Sequence, residues 1–439
     1  MKKPFKSQPF KLIIILLIHI IFVSSAHANF NKALSLYQAG NYKEAKTAFE
    51  ALAAIGDRAS LFNLGIMYFR GEGVEQDPVR AYVLMRIANE GVKNEDKRIA
   101  IVFNHLSTQQ KQLAESLYTE LNPLYSIKGI NSALIPKPLT DKESRPEHRP
   151  IKKVIPEYPK KELKEGHMGY TVVEITISPE GYPREIEVKQ AFSRNFTRES
   201  IRALQKSLFK PTQNQKPIYG HPFISTFVIS GAEINSNFKN KLISNLNDLK
   251  SSAQSGDAIA QYRYAEEMFS ARRFRGYLKD VDLEYKNMNH WLLQSAQQGL
   301  PHAQHQLGKN MIGGRGCKVD TISGNKWITA AAVSGFAPAQ KSLAQSSLLS
   351  DDEVTRKSTT ALGWLRNAAQ SGHYSAKLLL AWELATSPLD GLRNGEEALE
   401  LLNEKSEYFY DDLRIAETKA ATYAELGNFK KPSNGRKKH

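Results

Sequence analysis

The stretch VIPEYPKKELKEGHMGYTVVEITISPEGYP, residues 154–183, interrupts a chain that otherwise reads as short helices. Two Tyr-Pro steps and the glycines Gly166, Gly169 and Gly181 bracket an alternating, β-branched run. From Thr171 to Ile177, Val173, Ile175 and Ile177 share one face while Glu174 and Thr176 share the other, the period of a half-buried strand. Ser178-Pro179-Glu180-Gly181 is turn chemistry. Ile186 and Val188 then face inward and Glu185 and Glu187 outward, so the two runs predict a hairpin. Asn195 or Thr197 can cap a following helix. Its stripe Ile201, Leu204, Leu208 can cover the hairpin, and Pro211 ends it. After TQNQKPIYGHP, the run FISTFVIS (223–230) is a third strand. The order is strand, strand, helix, strand: a small α+β domain over 151–231.

On either side the chain repeats itself. Residues 56–91 and 299–335 each carry a Leu-Gly step (Leu64-Gly65, Leu307-Gly308). A Gly-x-Gly loop (Gly71/Gly73, Gly314/Gly316), an Asp (Asp77, Asp320) and an Ala-rich second helix follow. Helix pairs of this kind bury their apolar faces by stacking on the next pair. The pattern resembles the Sel1-like repeat, a relative of the tetratricopeptide repeat. Residues 33–52 and 419–431 drift toward plain tetratricopeptide style. The expected fold class is mostly α: an α-solenoid of Sel1-like helix pairs on both sides of a small α+β domain. Cys317 aligns with Val74 and reads as a small buried hydrophobe. The insertion ARRFRGYLKDVDLEY (271–285) is either a lengthened loop or part of a binding face.

Within the middle domain, Pro156-x-Tyr158-Pro159, Gly166 and Gly169, the turn glycine Gly181, LFKP (208–211) and the closing strand fall in a fixed order. Over about 80 residues this resembles the C-terminal domain of TonB-family proteins. The resemblance implies binding of an extended partner segment as an added strand, with backbone hydrogen bonds giving affinity and side-chain pockets selectivity. It places the partner-binding residues at Tyr158, Pro159, Phe223, Ser225, Phe227 and Ile229; the alternative is that Phe223 and Phe227 are core, the edge is covered and the chain is a general cell-envelope Sel1 scaffold. The implied partner is an outer-membrane TonB-dependent receptor or a TonB-complex protein. The repeats imply a further envelope protein.

Residues 1–28 look like an export signal: Lys2, Lys3, Lys6 and Lys11, an apolar Leu12–Val23, then Ala26-His27-Ala28 for cleavage. The expected address is the periplasm, with residues 29–128 as helical repeats, 129–150 as linker, 240–428 as further repeats and 429–439 as a basic tail. The alternative is an uncleaved inner-membrane anchor, in which His19 would couple to the energising motor as in TonB-family anchors. The short apolar run argues against it, since a span needs about 20 residues, and so does Ile15 where those anchors carry a serine. The linker is short as well: its proline-bearing residues 135–150 extend about 50 Å.

The chain carries 60 Lys and Arg against 45 Asp and Glu, net +15. Such a surface can lie on anionic membrane or cell-wall polymer, while no nucleic-acid motif accompanies it. One cysteine precludes an intramolecular disulfide, so burial alone must hold an exported fold. No phosphate loop, nucleophile elbow or metal-ligand set is present. His302 and His305, at i and i+3, read as a solvated pair and His167 as a turn residue. No enzyme, cofactor or metal site is expected.

Overall fold

The computed structural model describes residues 24–92, 96–139, 150–212, 215–229, 236–274, 278, 281–349, 359–387, 389–403 and 409–427. His19, most of the expected export signal, the middle of the linker and the basic tail lie outside the described residues. Two compact units interleave along the chain: one gathers residues up to 139 with 252–263 and 289–336, the other 140–251, 264–288 and everything from 337.

In the first unit the helix pairs share their punctuation. Asp57 accepts from the Ser60 N–H to start Arg58–Arg70, and Gly71 ends that helix at φ 71°. Asp77 accepts from the Arg80 N–H to start Pro78–Ala88. Asp320 repeats this at Thr321–Val333, accepting from the Ser323 N–H. A capping carboxylate of this kind satisfies an otherwise orphaned helix donor. The Leu-Gly steps are packing devices. Leu64 and Leu307 are buried, a Cβ on Gly65 would stand 2.6 Å from Met85 Cγ, and one on Gly308 would stand 2.6 Å from the Gly324 carbonyl oxygen. Glycine is what lets the two helices of a pair come this close.

Two local readings change in this unit and one holds. Helix Ile127–Leu134 occupies the start of the stretch read as a linker; its carbonyls at Ala133 and Leu134 accept from Ser323 Oγ (2.8 Å) and the fully buried Trp327 Nε1 (3.4 Å). Tertiary packing, which a proline count does not register, holds it in place. His302 and His305 divide: His302 stays exposed, as a solvated pair requires, whereas His305 is buried, and their rings lie 4.4 and 5.6 Å from Phe336. Partial desolvation against these neighbours lowers the His302 pKa from its ordinary value. Cys317 is fully buried, as its alignment with Val74 predicts.

The second unit is organised on a sheet. Strands β1 (Pro150–Lys152), β2 (Gly169–Ile177), β3 (Pro183–Ala191), β4 (Leu208–Phe209), β5 (Ile218–Phe227) and β6 (Phe409–Tyr410) occur in that chain order. The main sheet runs β5-β2-β3-β6, antiparallel throughout, while β1 pairs with β4. Helix Arg194–Gln205 covers one face, burying Val173, Ile175, Ile177 and Ile186 against Ile201, Leu204 and Phe209. This is the hairpin-plus-helix core that the alternation predicts. Ser193, not Asn195 or Thr197, caps the helix by accepting from the Phe196 N–H. The helix stops at Gln205, because Ser207 donates its hydroxyl to the Ala203 carbonyl and Gly181 accepts from the Phe209 N–H at 2.8 Å. Leu208 therefore leaves the helical stripe, and Phe209 fills the core instead.

The opposite face of this sheet is also covered. Tyr170 of β2 sits with its ring 6.1 Å from Phe274, and its hydroxyl accepts from Gln190 Nε2 at 2.8 Å. Ser270 donates to Gln190 Oε1 at 2.7 Å. Within the insertion 271–285, residues 278 and 281–284 are irregular chain, as a lengthened loop would be, and Ala271, Phe274, Leu278 and Leu283 are buried. The repeat helices Thr359–Gln370 and Tyr374–Thr386 build a second cluster around Leu365, Leu379, Leu380 and Leu384, and Phe409 of β6 belongs to it. Strand β6 thus fastens the C-terminal repeats to the edge of the sheet at β3.

Candidate functional site

An open strand edge is a template for further pairing, because every second residue directs its N–H and C=O outward. This sheet has two edges and treats them differently. Beyond β3 lies β6, with Ile186 opposite Tyr410 and Glu187 opposite Phe409. Arg184 secures this pairing through Asp411 and Glu417, 2.9 Å from each. Asp411 Oδ2 also accepts from the backbone N–H of Glu185, a residue held at φ 47°. Beyond β5 no strand pairs among the described residues.

Strand β5 is aligned on β2 through Phe223↔Val173, Ile224↔Val172, Ser225↔Thr171, Thr226↔Tyr170 and Phe227↔Gly169. Phe223 is half-buried against the core, its ring 6.2 Å from Phe209. Ser225 is buried. Phe227 is 2% exposed and stacks on Phe196 with centroids 4.3 Å apart and planes 20° from parallel. Tyr158 meets both rings edge-on, at 5.8 Å from Phe196 and 5.7 Å from Phe227. Its hydroxyl donates to the His167 carbonyl. Burial, helped by the Glu162 charge, raises its pKa. Pro159 is buried at the start of helix Lys160–Lys164, and Ile229 lies just past β5, half-buried. The structure thus brings Tyr158 and Phe227 together around Phe196, a residue the sequence reading did not single out. Phe223 and Phe227 spend their rings on the protein's own core, so the feature that β5 offers outward is its backbone edge. Thr226 is the exposed side chain of this stretch.

The turn before β2 holds another group that the sequence reading set aside. His167 Nδ1 lies 2.9 Å from Glu162 Oε2 and 3.3 Å from Glu165 Oε2. Asn195 Nδ2 donates to Glu162 Oε1 at 2.9 Å. Burial pushes the Glu162 carboxyl up, but hydrogen bonds from Asn195, His167 and Ser193 outweigh it and hold the pKa below the ordinary value. Glu162 and Glu165 were legible only as charges on a short basic segment; what joins them to His167 is the reversal at Gly166, at φ 69°.

Serial helix pairs with a small sheet set among them define an interaction protein of the repeat-scaffold class. The model of the Gram-negative bacterial TonB protein C-terminal matches residues 155–225, and the Sel1 repeat model matches 58–91, 301–335 and 337–373. A Sel1 repeat protein from Oxalobacter formigenes is similar at 33% identity, over 31% of this chain and 96% of its own, with a TM-score of 0.26. The TonB C-terminal domain of Pseudomonas aeruginosa is similar at 26% identity, over 21% of this chain and 95% of its own, with a TM-score of 0.18. A protective antigen of uropathogenic Escherichia coli strains displaying an SLR fold is 17% identical over 92% of this chain and 64% of its own, with a TM-score of 0.31. No curated protein matches. The chain carries a TonB-type C-terminal domain flanked by Sel1 repeats. Both are interaction domains. Among the described residues no helix is long and apolar enough to cross a membrane.

Proposed function

We propose that this chain is a periplasmic, non-enzymatic adaptor of the TonB system. It takes up an extended segment of an outer-membrane receptor or TonB-complex protein as a strand beside β5, while its repeats hold a further envelope protein. The observation that carries this reading is the asymmetry of the sheet. The edge at β3 is paired at Ile186 and Glu187 with the chain's own Phe409–Tyr410, and the edge at β5 has no strand beside it among the described residues. Pairing along Phe223–Phe227 would supply backbone hydrogen bonds without asking Phe227 to leave its stack on Phe196, so docking needs no repacking.

The test uses the full chain, since both sheet faces are covered by helices and the insert does not stand alone. Cys317 is buried, so Thr226→Cys introduces the single accessible thiol. A synthetic peptide copying the periplasmic N-terminal segment of a TonB-dependent receptor, carrying one cysteine, should form a disulfide with that thiol in a position-dependent way. Cross-linking that is absent, or equal for a scrambled peptide, rejects β5 as the docking edge. The mass and fractionation of the chain from cells test the address. A product beginning at Asn29 supports an adaptor, and a membrane-bound product retaining residues 1–28 makes His19 the next residue to substitute.

A further inference from the structure

We propose that Glu162, Glu165 and His167 form a binding site for one divalent transition-metal ion of the zinc type. One ligand atom from each residue lies within 4.8 Å of the other two. His167 Nδ1 faces both carboxylates at once, at 2.9 and 3.3 Å. Nδ1 carries at most one proton, so it cannot donate a full hydrogen bond to both carboxylates. A cation at the centre satisfies all three groups together.

The spacing fits such an ion. Zinc-type ions hold nitrogen and oxygen ligands at about 2.0–2.2 Å, so two ligands of one ion stand about 3.0 Å apart at right angles and about 3.4 Å apart in a tetrahedron. The His167 contacts, at 2.9 and 3.3 Å, lie just short of these values, so a small outward shift of the side chains would admit an ion. The donors are also set in place from outside the trio. Asn195 holds the far oxygen of Glu162 and aims Oε2 at the histidine. Phe192 meets the His167 ring at 6.5 Å, and Tyr158 binds the His167 carbonyl. Such supporting contacts orient ligands in metal sites and tune their affinity. The Glu162 side chain is 7% exposed, whereas His167 and Glu165 are 47% and 43% exposed. The site therefore has one rigid buried ligand and an open side through which an ion and its remaining waters can enter. One imidazole nitrogen with two carboxylates suits zinc, cobalt or nickel over the thiolate-seeking soft ions.

An ion here would tie helix Lys160–Lys164 to the start of β2, two residues before the Gly169↔Phe227 pair. The inference stands on the geometry of the turn and does not depend on the strand-docking reading.

The test is calorimetric titration of the full chain, stripped with EDTA and dialysed, with zinc chloride. A saturable one-to-one isotherm is expected, with a zinc-dependent rise in thermal midpoint. His167→Gln and Glu165→Gln should each weaken binding at least about tenfold and abolish the rise, while unfolding as the stripped wild type does. Absence of saturable binding overturns the site. So does binding of unchanged affinity in His167→Gln, which would place the ion on other histidines.

Discussion

Arg184 donates from Nε to the carboxylate of Asp411 over 2.9 Å, joining residues 227 positions apart in the chain. Asp411 is 6% exposed, and it also accepts from the N–H groups of Glu185 and Arg414. One carboxylate therefore closes a sheet edge, holds a strained residue and starts helix Asp412–Glu425.

Arg184→Met leaves that carboxylate buried without its cation. Removing one partner of a buried pair costs about 3–5 kcal/mol, chiefly through the uncompensated charge left behind. A drop of that order is expected in chemical denaturation, partly recovered by adding Asp411→Asn. An unchanged midpoint would show that β6 contributes nothing to the folded sheet.

The repeat glycines should separate by their surroundings. Gly308→Ala forces a Cβ to 2.6 Å from the Gly324 carbonyl and should destabilise by about 1–3 kcal/mol through overpacking. Gly363, inside helix Thr359–Gln370, has nothing within 4 Å of its missing Cβ. Gly363→Ala should stabilise by about 0.5–1 kcal/mol. Thermal unfolding of the two variants beside the parent checks both signs.

Phe227→Ala removes a ring stacked on Phe196 and touched by Tyr158. A loss of about 3–5 kcal/mol is expected from the cavity. Thr226→Ala, on the exposed side of the same strand, should stay within about 0.5 kcal/mol. Denaturant titration distinguishes a core position from a surface one here, and equal effects would contradict the described facing of β5.

His373 gives the second unit a pH dependence. Burial, with the Lys341 cation adding to it, pushes this imidazole from 6.5 down to about 4. From pH 6.5 down to about 4 the unfolded chain takes a proton that the folded chain refuses. Stability is therefore complete above this window and falls as the pH drops through it, by up to about 3 kcal/mol. His373 also caps helix Tyr374–Thr386. His373→Asn keeps a capping side chain and should flatten the pH profile measured by denaturation between pH 7 and 4.

Much of the second unit was legible because its signals are local. Alternation at Val173, Ile175 and Ile177, the Ser178–Gly181 turn and the Ile201–Leu204 stripe each depend on neighbours a few residues away, and each stands where the pattern predicts. The end of helix Arg194–Gln205 was misread because Phe209 is drawn out by the Gly181 carbonyl, a partner 28 positions away by sequence. Of the candidate site, Tyr158 and Phe227 were named and do meet, but Phe196 was not named, since nothing in a helical stripe says which ring will stack on a strand.

By itself the sequence determined the repeats, the strand-bearing insert and their order, because helix caps, turn glycines and hydrophobic period act over a few residues of chain. Only the tertiary structure decided which sheet edge takes a further strand and which has none beside it among the described residues, and that Ala271, Phe274, Leu278 and Leu283 of the insertion are buried. It also decided that Glu162, Glu165 and His167 converge. A two-residue strand such as Phe409–Tyr410 has no period to detect, and its pairing with β3 rests on contacts between residues far apart in the chain, the Arg184–Asp411 pair and the burial of Phe409 among the repeat helices.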